Sequence, residues 1–95
     1  MRIVGNVEVE EEVDLQLDEL LKDMKEIVLF DDDYHTFDFV IESLIAVCKH
    51  SVILAEQCTF IVHYNGKCAV KRGEYEKLKP MCTALIDRGL TAEIQ

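Results

Sequence analysis

No stretch of this 95-residue chain approaches the roughly 18 consecutive apolar residues that a membrane-spanning helix needs. The first residues are acidic where a secretory leader is basic and then apolar, so no signal peptide is expected and the chain reads as cytoplasmic. Bases are scarce. Ten Lys and Arg stand against nineteen Asp and Glu, and the net charge of −9 disfavours nucleic acid and anionic membrane as partners. No C-x-x-C pair occurs among Cys48, Cys58, Cys68 and Cys82. Each lies in an apolar pattern, which reads as buried free thiols rather than a disulfide or a zinc site. No internal repeat or low-complexity tract is present. No Ser or Cys stands in a context that would activate it as a nucleophile, so the sequence does not read as an enzyme and implies no cofactor.

What is present is enough for one small domain with one core, 49 % hydrophobic and 31 % charged. The charge is uneven: residues 1–26 hold nine acids against three bases, or −6 of the total. Within that segment Val13, Leu15 and Leu17 alternate like a strand, whereas Leu20, Leu21 and Met24 recur like a helix. Residues 1–24 are therefore expected to form a flexible acidic N-terminal arm, and residues 25–95 the folded domain.

From Glu26 the periodicities sharpen. Ile27 to Phe30 reads as a short buried strand ended by aspartates. Thr36 can cap a helix with Phe37, Val40, Ile41, Leu44, Ile45 and Cys48 on its inner face, Asp38 in its first turn and Lys49 in its last. Ser51 can cap a second helix with Leu54, Ala55, Cys58, Ile61 and Val62 on one stripe, stopped by Asn65-Gly66. A hairpin with Thr59 to Tyr64 as its strand is the rival, but the helical spacing extends back through Leu54. Lys67 to Lys71 reads as a strand broken at Gly73. Glu74 to Arg88 reads as a third helix with Tyr75, Leu78, Met81, Cys82 and Leu85 inside and Pro80 as a kink. Leu90 to Ile94 closes as a strand. The expected fold is a small α+β sandwich in the order β-α-α-β-α-β, a three-stranded antiparallel sheet packed against three helices.

The chemistry concentrates at Asp31-Asp32-Asp33, where a strand end meets a helix start. Three adjacent carboxylates form a trap for a cation, whether a metal, a partner's Lys or Arg, or a primary amine. On the second helix Thr59, Val62 and His63 share a face and can close over that turn. Asp31, Asp33 and His63 beside apolar walls from Phe37, Val40 and Val62 suit a ligand with an ammonium at one end and a hydrophobic side chain at the other. The free N-terminus of a peptide beginning with a bulky residue is such a ligand. Competing readings are a solvated turn with an Asx bond, a metal site from Asp31, Asp33 and His63, and a generic interaction domain of the ribosomal-stalk type, which shares the element order. His35 and His50 read as surface or cap residues.

Phe30-Asp31-Asp32-Asp33-Tyr34-His35-Thr36-Phe37-Asp38-Phe39-Val40-Ile41-Glu42, followed by Ala55-Glu56-Gln57 and by Val62-His63-Tyr64-Asn65-Gly66-Lys67, resembles the ClpS family over about residues 25–95. Those adaptors deliver N-end-rule substrates to a Clp AAA+ unfoldase of the ClpA or ClpC type and its peptidase. The resemblance implies that Asp33 and His63 bind the substrate α-amine, with Asp31 where the family usually has Asn. It implies pocket-lining roles for His35, Phe37, Val40, Thr59, Val62 and Leu90, of which Phe37 and Thr59 stand where methionine is common. It places Glu74 and Lys79 near the patch that docks on the unfoldase N-domain, and residues 1–24 in the place of the extension used during hand-over. Thr59 would shorten and slightly polarise one wall, and Phe37 would stiffen the gate.

Overall fold

The computed structural model describes residues 23–95. Strand β1 (Met24–Phe30) leads into helix α1 (Phe37–Cys48) and helix α2 (Val52–Asn65). Strand β2 (Lys67–Glu74), helix α3 (Tyr75–Asp87) and strand β3 (Thr91–Ile94) follow. β1 is the middle strand of an antiparallel sheet in the order β2-β1-β3. The expected element order and sheet are therefore both present. The expected arm falls, for residues 1–22, outside the described residues.

Local chemistry sets the helix ends. The Thr36 hydroxyl accepts the Phe39 N–H at 3.1 Å, and the Ser51 hydroxyl accepts the Leu54 N–H at 3.1 Å, so each satisfies one of the orphan donors of a helix start. Gly66 stops α2 in a left-handed conformation, its N–H returning to the Val62 carbonyl at 2.8 Å. Helix α3 ends in a Schellman motif: Gly89 N–H bonds to Ile86 O at 2.8 Å and Leu90 N–H to Leu85 O at 3.1 Å. Ile27 and Leu29 from β1, Leu44 and Cys48 from α1, Ala55, Cys58 and Val62 from α2, and Leu78, Cys82 and Leu85 from α3 form one buried core.

Several expectations need correction. β1 begins at Met24 rather than Ile27, because Met24 to Glu26 pair with Arg72 to Glu74 even though they offer no apolar signal. Gly73 does not break β2; it pairs with Lys25 inside the sheet. The helix preferred over a hairpin at Thr59 to Tyr64 is, by contrast, present. The buried stripe of α2 is Ala55, Cys58, Thr59 and Val62, whereas Leu54 and Ile61 are exposed. Tyr75 is also exposed, and α3 continues through Pro80. Lys49 is not in the last turn of α1 but just beyond it, with φ 62°.

His50 is a core residue, not a surface or cap residue. The register between Ile27↔Lys71 and Val28↔Ala69 leaves Val70 as a bulge. The buried His50 imidazole donates from Nε2 to the Val70 carbonyl at 2.6 Å. All four cysteines are free, as expected, and Cys48, Cys58 and Cys82 are buried, whereas Cys68 on β2 is only partly buried. Burial first, then the neighbouring Cys68, push the Cys58 thiol up to about 12, which keeps it protonated and unreactive.

Candidate functional site

A cavity of about 320 Å³ opens where the end of β1, the start of α1 and the last turns of α2 converge. The Asp31 N–H donates to the Gly66 carbonyl at 2.9 Å. That bond ties the acidic turn to the end of α2, the same end whose last turn carries His63. Sequence-distant carboxylates and imidazole thus line one cavity, and a backbone hydrogen bond joins the two elements that carry them.

The nine residues assigned to the site from the sequence all line this cavity. Asp31, Asp33 and His63 are exposed and stand at its mouth. Thr59, Val62 and Leu90 are buried and form its floor, and His35, Phe37 and Val40 are partly buried walls. Leu29, Phe30, Asp32 and Thr36 complete the lining; of these only Asp32, as a member of the acidic run, carried a functional expectation.

The aspartates differ in what they do. Asp32 Oδ1 accepts the backbone N–H groups of Tyr34 and His35, each at 2.9 Å. Both its oxygens lie 3.0 Å from His35 Nδ1. Burial pushes the Asp32 carboxyl up, but the hydrogen bonds from His35 and Tyr34 outweigh it and leave the group below its ordinary value. The Asx-turn reading therefore holds for Asp32. Among the described residues no such bond engages the side chains of Asp31 or Asp33, which remain available to a ligand. Their charges and the C-terminal end of α2 make the mouth negative.

The Phe37 ring packs edge-on against His63, centroids 5.0 Å apart at 79°, and against Phe60 at 5.2 Å and 90°. Thr59 contributes less polarity than expected, because its hydroxyl donates to the Ala55 carbonyl of its own helix at 2.7 Å. Among the described residues no three His, Cys, Asp or Glu side chains group closely enough to hold a metal, so Asp31, Asp33 and His63 do not form a ligand set. No described helix is long and apolar enough to cross a membrane.

The two residues expected at a docking patch lie elsewhere. Glu74 precedes α3, and Lys79 borders a shallower depression of about 410 Å³ between α3 and β3, alongside Tyr75, Thr83 and Glu93.

Comparison with known proteins places the chain in a family and a fold. The family model for the ATP-dependent Clp protease adaptor protein ClpS matches residues 21–93. Among solved structures, that of Agrobacterium tumefaciens ClpS2 bound to L-phenylalaninamide superimposes with a TM-score of 0.73 at 22 % identity, covering 77 % of this chain and 95 % of that one. That likeness speaks to the fold. No curated protein sequence matches.

Proposed function

The chain belongs to the ClpS family of ATP-dependent Clp protease adaptors, and on that premise we propose that its cavity holds the free amino terminus of N-degron proteins. The first residue is Leu, Phe, Tyr or Trp, and the adaptor passes the bound protein to a Clp AAA+ unfoldase of the ClpA or ClpC type. In this reading the Asp33 and Asp31 carboxylates and the His63 imidazole accept hydrogen bonds from the α-ammonium. The first side chain enters between Phe37, Val40, Thr59, Val62 and Leu90. Glu74 and Lys79 belong to the surface that meets the unfoldase N-domain, residues 1–24 serve during hand-over, and the protein works in the cytoplasm without catalysing a reaction.

The observation that carries the reading is the convergence, in the lining of one cavity, of one imidazole and two carboxylates whose side chains no described residue engages. The ligand of the Agrobacterium protein has one free α-amine and one phenyl side chain, the same pairing of charge and apolar bulk. Magnitudes are adequate: each hydrogen bond to a charged group contributes roughly 1.5–3 kcal/mol and a buried Leu or Phe side chain roughly 1.5–3 more. Two or three such bonds and one side chain reach about micromolar affinity after the cost of association.

Fluorescence anisotropy with peptides that begin with Phe, free or N-acetylated, tests the reading. The free peptide should bind and the acetylated one should not, since acetylation removes the ammonium. Equal affinity for both would reject amine capture.

A further inference from the structure

His35 was assigned only as a wall, yet its surroundings hold it more tightly than packing needs. The Asp32 carboxylate can only accept hydrogen bonds, so the contact at 3.0 Å places the shared proton on His35 Nδ1. In the neutral ring the other nitrogen, Nε2, then carries a lone pair. Asp32 itself is fixed by the backbone N–H groups of Tyr34 and His35, so the acceptor that sets this tautomer cannot rotate away freely.

The ring is held on two further sides. Phe39 stacks on its face with centroids 4.8 Å apart at 22°. Gly89 meets its far edge, where a Cβ would stand 3.1 Å from Nε2 and 3.4 Å from Cε1. With φ at 95°, Gly89 is in the left-handed region, so glycine is favoured there both by the turn and by the imidazole. Leu90, the next residue, is part of the cavity floor, and His35 lines the same cavity. Among the described residues nothing donates to His35 Nε2. Among the described residues the single fully buried side-chain nitrogen or oxygen without a partner is His50 Nδ1, so His35 Nε2 is not sealed from its surroundings.

A nitrogen whose ring is oriented by a carboxylate and clamped on one face, on a residue that lines the cavity, is a built acceptor. We propose that His35 is a specificity-determining residue whose Nε2 accepts a hydrogen bond from the N–H or O–H of the first side chain, favouring Trp or Tyr over Phe and Leu. Asp32 is its positioning residue, and Gly89 leaves the room it needs. The inference rests on the amine-capture reading and adds to it which bulky first residues are preferred. One aromatic side chain fits the available space, at the low end of the roughly 300–1,000 Å³ typical of small-ligand sites.

Paired peptides isolate the hydrogen bond from size and hydrophobicity. One pair begins with Trp or with 3-benzothienylalanine, which replaces the indole N–H by sulfur; the other begins with Tyr or Phe. Anisotropy at pH 8.5 should give a roughly three- to tenfold preference for the donor-bearing member of at least one pair, the size of one net hydrogen bond. In His35→Phe that ratio should fall to about one, whatever happens to overall affinity. Ratios near one for both pairs in the unaltered protein, or an unchanged ratio in His35→Phe, would overturn the proposal.

A second measurement needs no variant. The ¹⁵N resonance of His35 Nε2 should move on adding the Trp peptide and not its benzothienyl partner; equal movement with both also overturns the assignment. Acetylated versions of all four peptides separate this from failure of the parent reading. If they bind as well as the free ones, amine capture itself is wrong and this inference falls with it. If only free peptides bind but without donor preference, amine capture stands and His35 has no such role.

Discussion

Phe37, the first residue of α1, and His63, in the last turn of α2, meet edge-on with their ring centroids 5.0 Å apart. The contact closes the cavity where the two helices approach, so one aromatic side chain is both part of the apolar wall and a stop against which the imidazole rests. Phe37→Ala removes both at once. An edge-to-face aromatic pair contributes about 0.5–1.5 kcal/mol beyond burial, so peptides beginning with Phe should bind roughly tenfold more weakly. Unchanged affinity in an anisotropy titration would mean that the ring does not bound the occupied pocket.

The two free carboxylates should behave differently from each other. Asp33→Ala or His63→Ala removes an acceptor assigned to the ammonium, and each should weaken free-amine peptides by roughly ten- to a hundredfold, the size of a charge-assisted hydrogen bond. Asp31 stands where a neutral amide serves in related proteins, so Asp31→Asn retains a hydrogen-bond acceptor and loses only charge. Its effect should be a few-fold and should shrink as salt is raised, because an exposed charge is screened within about 8–10 Å at 0.1–0.15 M ionic strength. A salt series on Asp31→Asn and Asp33→Ala tests this, and a larger loss for Asp31→Asn than for Asp33→Ala would reverse the assignment.

Much of this site was legible because its parts are local. The Asp31 to Asp33 run, the Thr36 cap and the helical spacing from Phe37 to Cys48 lie in adjacent residues, and Gly66 marks the end of α2 by its conformational freedom. The errors came from non-local geometry. Leu54 and Ile61 have the composition of a core stripe, but the axial rotation of α2 is set by what it packs on, and Thr59 takes the inward position because its hydroxyl is satisfied within the helix. Nothing around His50 indicates that a bulge twenty residues later will free a carbonyl for it. Asp32 offered a readable signal: an acid three residues before a histidine at a helix start is a common way to hold that histidine.

Lys49 is the one described non-glycine residue with positive φ, at 62°. Its N–H closes α1 on the Leu44 carbonyl, a position that glycine usually occupies because a Cβ is strained there. Lys49→Gly should therefore stabilise the domain by about 0.5–1 kcal/mol, the relief of left-handed strain exceeding the added freedom of the unfolded chain. Urea denaturation would show it as a higher midpoint at unchanged slope. A lower midpoint would mean that the lysine side chain contributes more than its backbone costs.

His50 gives the fold a pH dependence separate from the binding site. Burial, first, disfavours its charged form, and nearby Lys71 adds to that. The Val70 carbonyl works in the opposite direction without overcoming them, so the folded imidazole titrates below its ordinary value of 6.5. Lys71 is held in place by donating to the Cys48 carbonyl at 3.1 Å. Because the unfolded chain takes up the proton first, stability is complete above pH 6.5 and declines as the pH falls from there toward the lower folded value. Urea titrations at pH 7.5 and 5.5 should show this decline. His50→Leu should flatten it, even though the variant loses the 2.6 Å bond to the bulge and is less stable at pH 7.5. His35 and His63 remain in the variant as internal controls. If the slope between the two pH values survives there in full, the decline does not belong to the buried ring.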